Sequence, residues 1–123
     1  MFPSHLLISL LELAFSFEKK ERSRRILNEL VKDGKVRHVG ISNETPWGMM
    51  KFLQIAKEKN LPRMMSIQNV YSLVNRVFDI ANSEVSIREK CGLLAYSPLG
   101  FGMLTGKYLK KIPKESRLGL YGD

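Results

Sequence analysis

Apolar, strand-forming stretches open near residues 36, 64 and 93, about 28 residues apart, with helical or loop-forming sequence between them. Strand, helix and strand at that spacing make a βαβ unit, whose strands run parallel and whose crossover is right-handed. The chain is therefore α/β, with parallel strands alternating with helices. Periodicity alone leaves a closed barrel and an open doubly wound sheet equally open.

Local signals place the elements. Ile26, Leu27, Leu30 and Val31 recur at helical spacing from Ser23 onward, and Gly34 follows as a left-handed helix terminator. A strand over residues 35–42 comes next, with Val39 and Ile41 on one face and His38, Gly40 and Ser42 on the other. Thr45 and Pro46 read as an N-cap and first-turn proline, and Met49, Phe52, Leu53 and Ala56 form the apolar stripe of a second helix. Asn60, Leu61 and Pro62 end it. A second strand over 64–69 alternates Met65 and Ile67 against Met64, Ser66 and Gln68. A third helix over 79–90 carries Ile80, Ala81, Glu84 and Val85 at helical spacing and closes at Gly92. Leu93, Leu94 and Ala95 suit a strand buried on both faces, stopped by Pro98.

In parallel sheets of this kind, ligands sit at the carboxyl ends of the strands. Those ends carry Ser42 with Asn43, Gln68 with Asn69, and Tyr96 with Ser97. One polar pair merely starts a loop; three in successive units, with Ser42 and Gln68 on the side away from the helices, point to a site. Beyond Tyr96 the chain turns glycine-rich, and Gly100, Gly102 and Gly106 let backbone approach a bulky ligand while Lys107 meets negative charge.

Other features carry less. The formal charge of +8 invites a nucleic-acid reading. The basic residues gather near the two ends, at Lys19, Lys20, Arg22, Arg24 and Arg25 and again at Lys107, Lys110, Lys111, Lys114 and Arg117, without interleaved stacking aromatics, so no nucleic acid is expected. The apolar run from Leu6 to Phe17 is too short to span a bilayer and is interrupted by Glu12, and Met1 to His5 lack the basic start of a signal peptide. A cytoplasmic protein with no membrane partner is expected. The single Cys91 excludes an internal disulfide, fits a reducing compartment and reads as a helix-end core residue. His38 reads as a packing residue in mid-strand, Trp47 as packing at a helix start, and Met49, Met50, Met64 and Met65 as core filling rather than a metal site. Glu44 and Asp79 have no partner carboxylate at a catalytic spacing.

The stretch AYSPLGFGMLTGKY over residues 95–108 resembles the cofactor loop of the aldo-keto reductases, and in particular of their branch related to potassium-channel β subunits. GKVRHVGISNET over 34–45 and SIQNVYSLVNR over 66–76 match the same family in the same order. The resemblance decides for a barrel: these are NADP-dependent (β/α)8 oxidoreductases of carbonyls and alcohols. Since such a barrel takes about 250 residues, a chain of 123 is roughly half of one. On this reading residues 23–123 are a partial reductase domain and 1–22 a non-matching segment, where Ser4, His5 and Leu6 fail a family H-x-P pattern.

What the resemblance implies for the site is specific. Residues matching Ser42 and Gln68 contact the nicotinamide carboxamide, Asn43 lies beside it, and Tyr96 stacks on the ring. Ser97, Pro98, Leu99, Gly100 and Phe101 match the loop wrapping the pyrophosphate, Lys107 its basic anchor, and Arg117 an arginine for cofactor phosphate. The chemistry agrees, because a carboxamide offers donor and acceptor groups that hydroxyl and amide side chains complement, and an aromatic face fixes which side delivers hydride. The family's catalytic tyrosine, lysine, aspartate and histidine find no match here, so no catalytic residue is assigned. Nor is the carboxyl-terminal adenosine-binding stretch matched. The expectation is a truncated reductase with a partial NADP(H) site, weak binding and no activity alone. The alternative is a non-enzymatic half-barrel that self-associates or docks on a partner protein through unpaired edges of its first and third strands.

Overall fold

A computed structural model describes residues 9–11 and 17–121, with side chains over 25–120. The expectations for Met1 to His5, and for the side chains of Lys19, Lys20, Arg22 and Arg24, lie outside these residues. Four strands, β1 (Ser9–Leu11), β2 (Val39–Ser42), β3 (Met64–Val70) and β4 (Gly92–Tyr96), form one sheet in the order β1-β2-β3-β4, every pair parallel. Between them run α1 (Phe17–Lys32), α2 (Pro46–Glu58), and the short α3 (Val77–Ile80) and α4 (Asn82–Arg88); a 3-10 turn (Gly100–Thr105) and α5 (Arg117–Tyr121) follow.

The strand order carries the architecture. A doubly wound sheet reverses direction at a switch point, whereas this one advances by one neighbour at each crossover. Right-handed crossovers that never reverse put their helices over one face of the sheet, which is how a (β/α)8 barrel is built. The chain is thus a partial barrel of parallel strands and helices.

Helix ends follow local chemistry. Gly34 takes φ 68°, and its neighbour Lys35 donates to the Leu30 carbonyl at 3.0 Å, closing α1. Thr45 caps α2 by accepting from the Gly48 N–H at 3.1 Å, with Pro46 in the first turn. Asn60, at φ 49°, ends that helix, and the Leu61 N–H reaches the Ala56 carbonyl at 2.9 Å. The core lies between helices and sheet: Leu27 from α1, Met49, Phe52 and Leu53 from α2, Val39, Ile41 and Ile67 from the strands, with Phe78 and Cys91 beside them.

Several expectations are corrected. The strand containing Ser42 is not an edge, because β1 pairs with it through Ser9 to Val39 and Leu11 to Ile41. That strand starts at Val39, so His38 precedes it and is exposed rather than packed in mid-strand. In β3, Val39 pairs with Met64 but Gly40 with Ser66, so Met65 is an extra residue in a bulge. The bulge breaks alternation: Met64 and Ile67 are both buried and Met65 is 45% exposed. Met50 and Trp47 are exposed as well, on the outer side of α2, so neither packs in the core.

The single helix expected over 79–90 is two. Ala81 (φ −143°, ψ −44°) breaks it, and the next residue, Asn82, turns inward to donate to the Glu44 carbonyl at 3.1 Å. This long-range tie sets a different buried stripe, with Phe78 and Val85 against the core and Ile80 and Ala81 outside. Lys90 at φ 50°, not Gly92, closes α4, and the Cys91 N–H bonds the Ser86 carbonyl at 3.0 Å. Nor is β4 buried on both faces: Leu94 and Ala95 are exposed, because no described strand flanks its far edge and no described helix covers its second face.

Candidate cofactor site

Strand pairing fixes which side chains share a face. Ser42 pairs with Gln68, Gln68 with Leu94, and Val70 with Tyr96. Because side chains alternate along each strand, Ser42, Gln68, Leu94 and Tyr96 project from one face, opposite Ile41, Ile67 and Leu93. That is the face away from the core. Gln68 is followed by two more strand residues, so it lies just inside the end of β3 rather than at its tip. Its neighbour Asn69 falls on the opposite, helix-covered face.

Asn43 ties these ends together. It turns the chain out of β2 at φ 52°, a left-handed conformation that asparagine tolerates better than most residues. Its N–H donates to the Gln68 carbonyl at 2.9 Å, and its Oδ1 accepts from the Tyr96 hydroxyl at 3.0 Å. The contact spans β3, linking the ends of β2 and β4. Ser42 is buried, whereas the Gln68 and Tyr96 side chains are half-buried.

After Tyr96 the backbone is strained. Ser97 has φ 52° and Phe101 φ 56°, although neither is glycine. Left-handed geometry costs an L-residue with a side chain about 1–2 kcal/mol. Of the five described non-glycine residues with positive φ, Asn60 and Lys90 end helices; Asn43, Ser97 and Phe101 all belong to the candidate site. Turn bonds hold this conformation, from the Gly100 N–H to the Ser97 carbonyl at 2.9 Å and from the Gly102 N–H to the Leu99 carbonyl at 3.0 Å. Pro98 and Leu99 are exposed along the turn, and a Cβ at Gly100 would lie 2.7 Å from Val74 Cγ2.

The two basic residues singled out on sequence meet this loop. Arg117, in α5, sets its guanidinium 4.7 Å from the centre of the Phe101 ring, and Lys107 Nζ lies 4.9 Å from that of Tyr108. Tyr108 was passed over on sequence, yet it joins the pieces: its hydroxyl donates to the Phe101 carbonyl at 3.2 Å and accepts from the Leu118 N–H at 3.4 Å. Burial pushes its phenol up, but bonds from Ser116, Leu118 and Lys107 outweigh that and hold it below the ordinary tyrosine value. Its place directly after Lys107 is the signal that could have found it. The structure therefore gathers Ser42, Asn43, Gln68 and Tyr96 into one cluster, and Phe101, Lys107, Tyr108 and Arg117 into a second, joined by the strained loop.

Elsewhere, Arg76 is bonded to Asp79 at 2.6 Å, and its hydrogen bond holds that carboxyl below the usual range. Burial pushes the Cys91 thiol up. Among the described residues no group of three or more His, Cys, Asp or Glu is placed to hold a metal ion, and no helix is long and apolar enough to cross a membrane.

Parallel strands wound without reversal, with a polar cluster near their carboxyl ends and a strained glycine-rich loop beyond, define a segment of the (β/α)8 barrel class. Residues 11–119 match the aldo/keto reductase family, and the chain belongs to that family. It is similar to the protein tas of Escherichia coli K12, 54% identical over 83 residues that cover 68% of this chain and 24% of that protein. An aldo-keto reductase of Babesia bovis is 41% identical over 91 residues, covering 68% of this chain and 30% of the relative. The L-glyceraldehyde 3-phosphate reductase of Escherichia coli K12 is 34% identical over 104 residues, covering 84% and 30%. The matched stretch spans 24–30% of the length of these relatives.

Proposed function

We propose that this chain contributes the nicotinamide-binding part of an NADP(H)-dependent oxidoreductase that moves hydride between cofactor and a carbonyl or alcohol, of the branch akin to channel β subunits. One observation carries the reading: Ser42, Gln68 and Tyr96 project from the same face at or just inside the carboxyl ends of three adjacent parallel strands. The donor set fits the group. A hydroxyl at Ser42 and an amide at Gln68 supply both a donor and an acceptor for a carboxamide, and the Tyr96 ring offers a flat apolar face. Lys107 and Arg117 would answer the phosphates. The bound nicotinamide supplies the hydride; the residues here orient its ring and anchor its charge.

No residue of the 123 is assigned to the family's proton-donating tetrad, so the chain alone is inactive as a reductase. General acid catalysis contributes about 10²- to 10⁴-fold in such reactions, and nothing here replaces it. Binding of NADPH, followed by nicotinamide fluorescence, tests the assignment. Tyr96→Ala and Lys107→Ala should each weaken it, and equal signals in wild type and both variants would remove the site.

A second reading has its own support. Leu94, Leu99, Met103 and Leu104 are exposed on and beyond β4, whose outer edge carries no described strand. Such a surface suits self-association or docking on another protein. Size-exclusion chromatography with light scattering separates the readings, and a clean monomer counts against the docking role.

A further inference from the structure

The exposed guanidinium of Arg117 lies 4.7 Å from the centre of the Phe101 ring, and no carboxylate among the described residues pairs with it. A ring face holds the cation without neutralising it, so the charge stays open to an anion. What sets the contact is the backbone on either side of it, and one hydroxyl holds both sides. Tyr108 donates to the Phe101 carbonyl at 3.2 Å and accepts from the Leu118 N–H at 3.4 Å. The first partner belongs to the residue whose ring carries the guanidinium, the second to the peptide unit that follows Arg117. Among the described residues no other hydrogen bond joins the turn over 97–106 to α5. Phe101 is strained at φ 56°, a conformation that persists only where its surroundings hold it.

We propose that Tyr108 is a positioning residue for anion capture: its hydroxyl holds Arg117 over the glycine-rich loop, ready for a phosphate of the cofactor. The inference rests on the cofactor reading above and adds to it a residue that acts through Arg117. A long exposed side chain samples many rotamers, and ordering it at the moment of binding weakens affinity. Bonds that fix the backbone beneath Arg117 and Phe101 beforehand leave less freedom to lose when the phosphate arrives. The ring of Tyr108 has a separate part, because the Lys107 ammonium sits 4.9 Å from its centre. Tyr108→Phe keeps that ring and fills the same space, so it removes the hydroxyl alone.

The test is a double-mutant cycle read by NADPH fluorescence titration of the full chain. Tyr108→Phe should weaken binding about fivefold, the net worth of one hydrogen bond. Arg117→Ala should weaken it about tenfold or more, as a charged hydrogen-bond donor is lost. Added to Arg117→Ala, Tyr108→Phe should cause no further loss, because the hydroxyl then has no guanidinium to hold. A second measurement needs no cofactor: the Arg117 Nε–H signal of the ¹⁵N-labelled protein should stand apart in the wild type and move to the position of a free arginine in Tyr108→Phe. Wild-type affinity in Tyr108→Phe, additive losses in the double variant, or an Arg117 signal that does not move would each overturn the role and leave the cofactor reading standing. A flat titration in every protein, wild type included, would instead remove the cofactor reading and this role together.

Discussion

The hydroxyl of Tyr96, at the end of β4, donates to Asn43 Oδ1 at 3.0 Å, so the ends of β2 and β4 are linked across the strand between them. The bond fixes the tilt of the Tyr96 ring on the face that also carries Ser42 and Gln68. Tyr96→Phe keeps the ring and loses the link, worth about 1 kcal/mol net, and should weaken NADPH binding about fivefold. Tyr96→Ala also loses the stacking face and should weaken it by tenfold or more, about the worth of one aromatic contact. Fluorescence titration of the two variants side by side separates positioning from stacking.

Gly102 is the second point of leverage. At φ 96° a side chain is strained, and a Cβ there would overlap Lys107 Cε and lie 2.8 Å from Nζ. Lysine can swing aside, so the steric part is small, but the backbone part stays at about 1–2 kcal/mol. Gly102→Ala should lower the unfolding free energy by that much, read as a lower urea midpoint at unchanged slope, and displace the Lys107 ammonium from its place over Tyr108.

Core and surface substitutions should separate widely. Phe52 is 1% exposed, and Phe52→Ala should cost about 3–5 kcal/mol through lost contact and the cavity left behind. Ile80, 84% exposed, should tolerate alanine within about 0.5 kcal/mol. Urea denaturation followed by circular dichroism checks both.

Thr45 caps α2 through a single hydroxyl, and Thr45→Ala should cost about 1 kcal/mol. Thr45→Ser keeps the oxygen and should recover most of the loss, as read from thermal midpoints.

Cys91 is buried and its thiol is raised above its ordinary value. The folded protein holds the neutral thiol, whereas the unfolded chain ionises near pH 8.5. The stabilisation this gives is complete below the unfolded value and is lost as pH rises through the folded one. Alkaline destabilisation should therefore be shallower in Cys91→Ala. At pH 8 a disulfide reagent should leave Cys91 untouched in buffer and modify it fully in guanidinium; rapid labelling of the native protein would contradict the burial.

Much of this was legible along the chain. Gly34, Thr45 with Pro46, and Asn60 act within one turn of themselves, and each ends or starts a helix where expected. Face parity for Ser42 and Gln68 was readable as well, because alternation is a local rule and the bulge at Met65 falls before Gln68; Tyr96 joins their face only through the pairing of β3 with β4. Tyr108 was missed because its partners are carbonyl and amide groups several residues away, brought near only by the turn.

The amino-acid order by itself determined the alternation of strands and helices, where α1 and α2 stop, and which side of their strands Ser42 and Gln68 take, since these depend on backbone bonds among near neighbours. The fold alone decided the rest. Asn82 breaks a helix to reach a carbonyl 38 residues away, Met65 is squeezed out of register by its partner strand, and Leu94 is exposed despite its apolar setting. Each outcome depends on what packs against a residue from elsewhere in the chain, and burial of that kind leaves no local trace in the sequence.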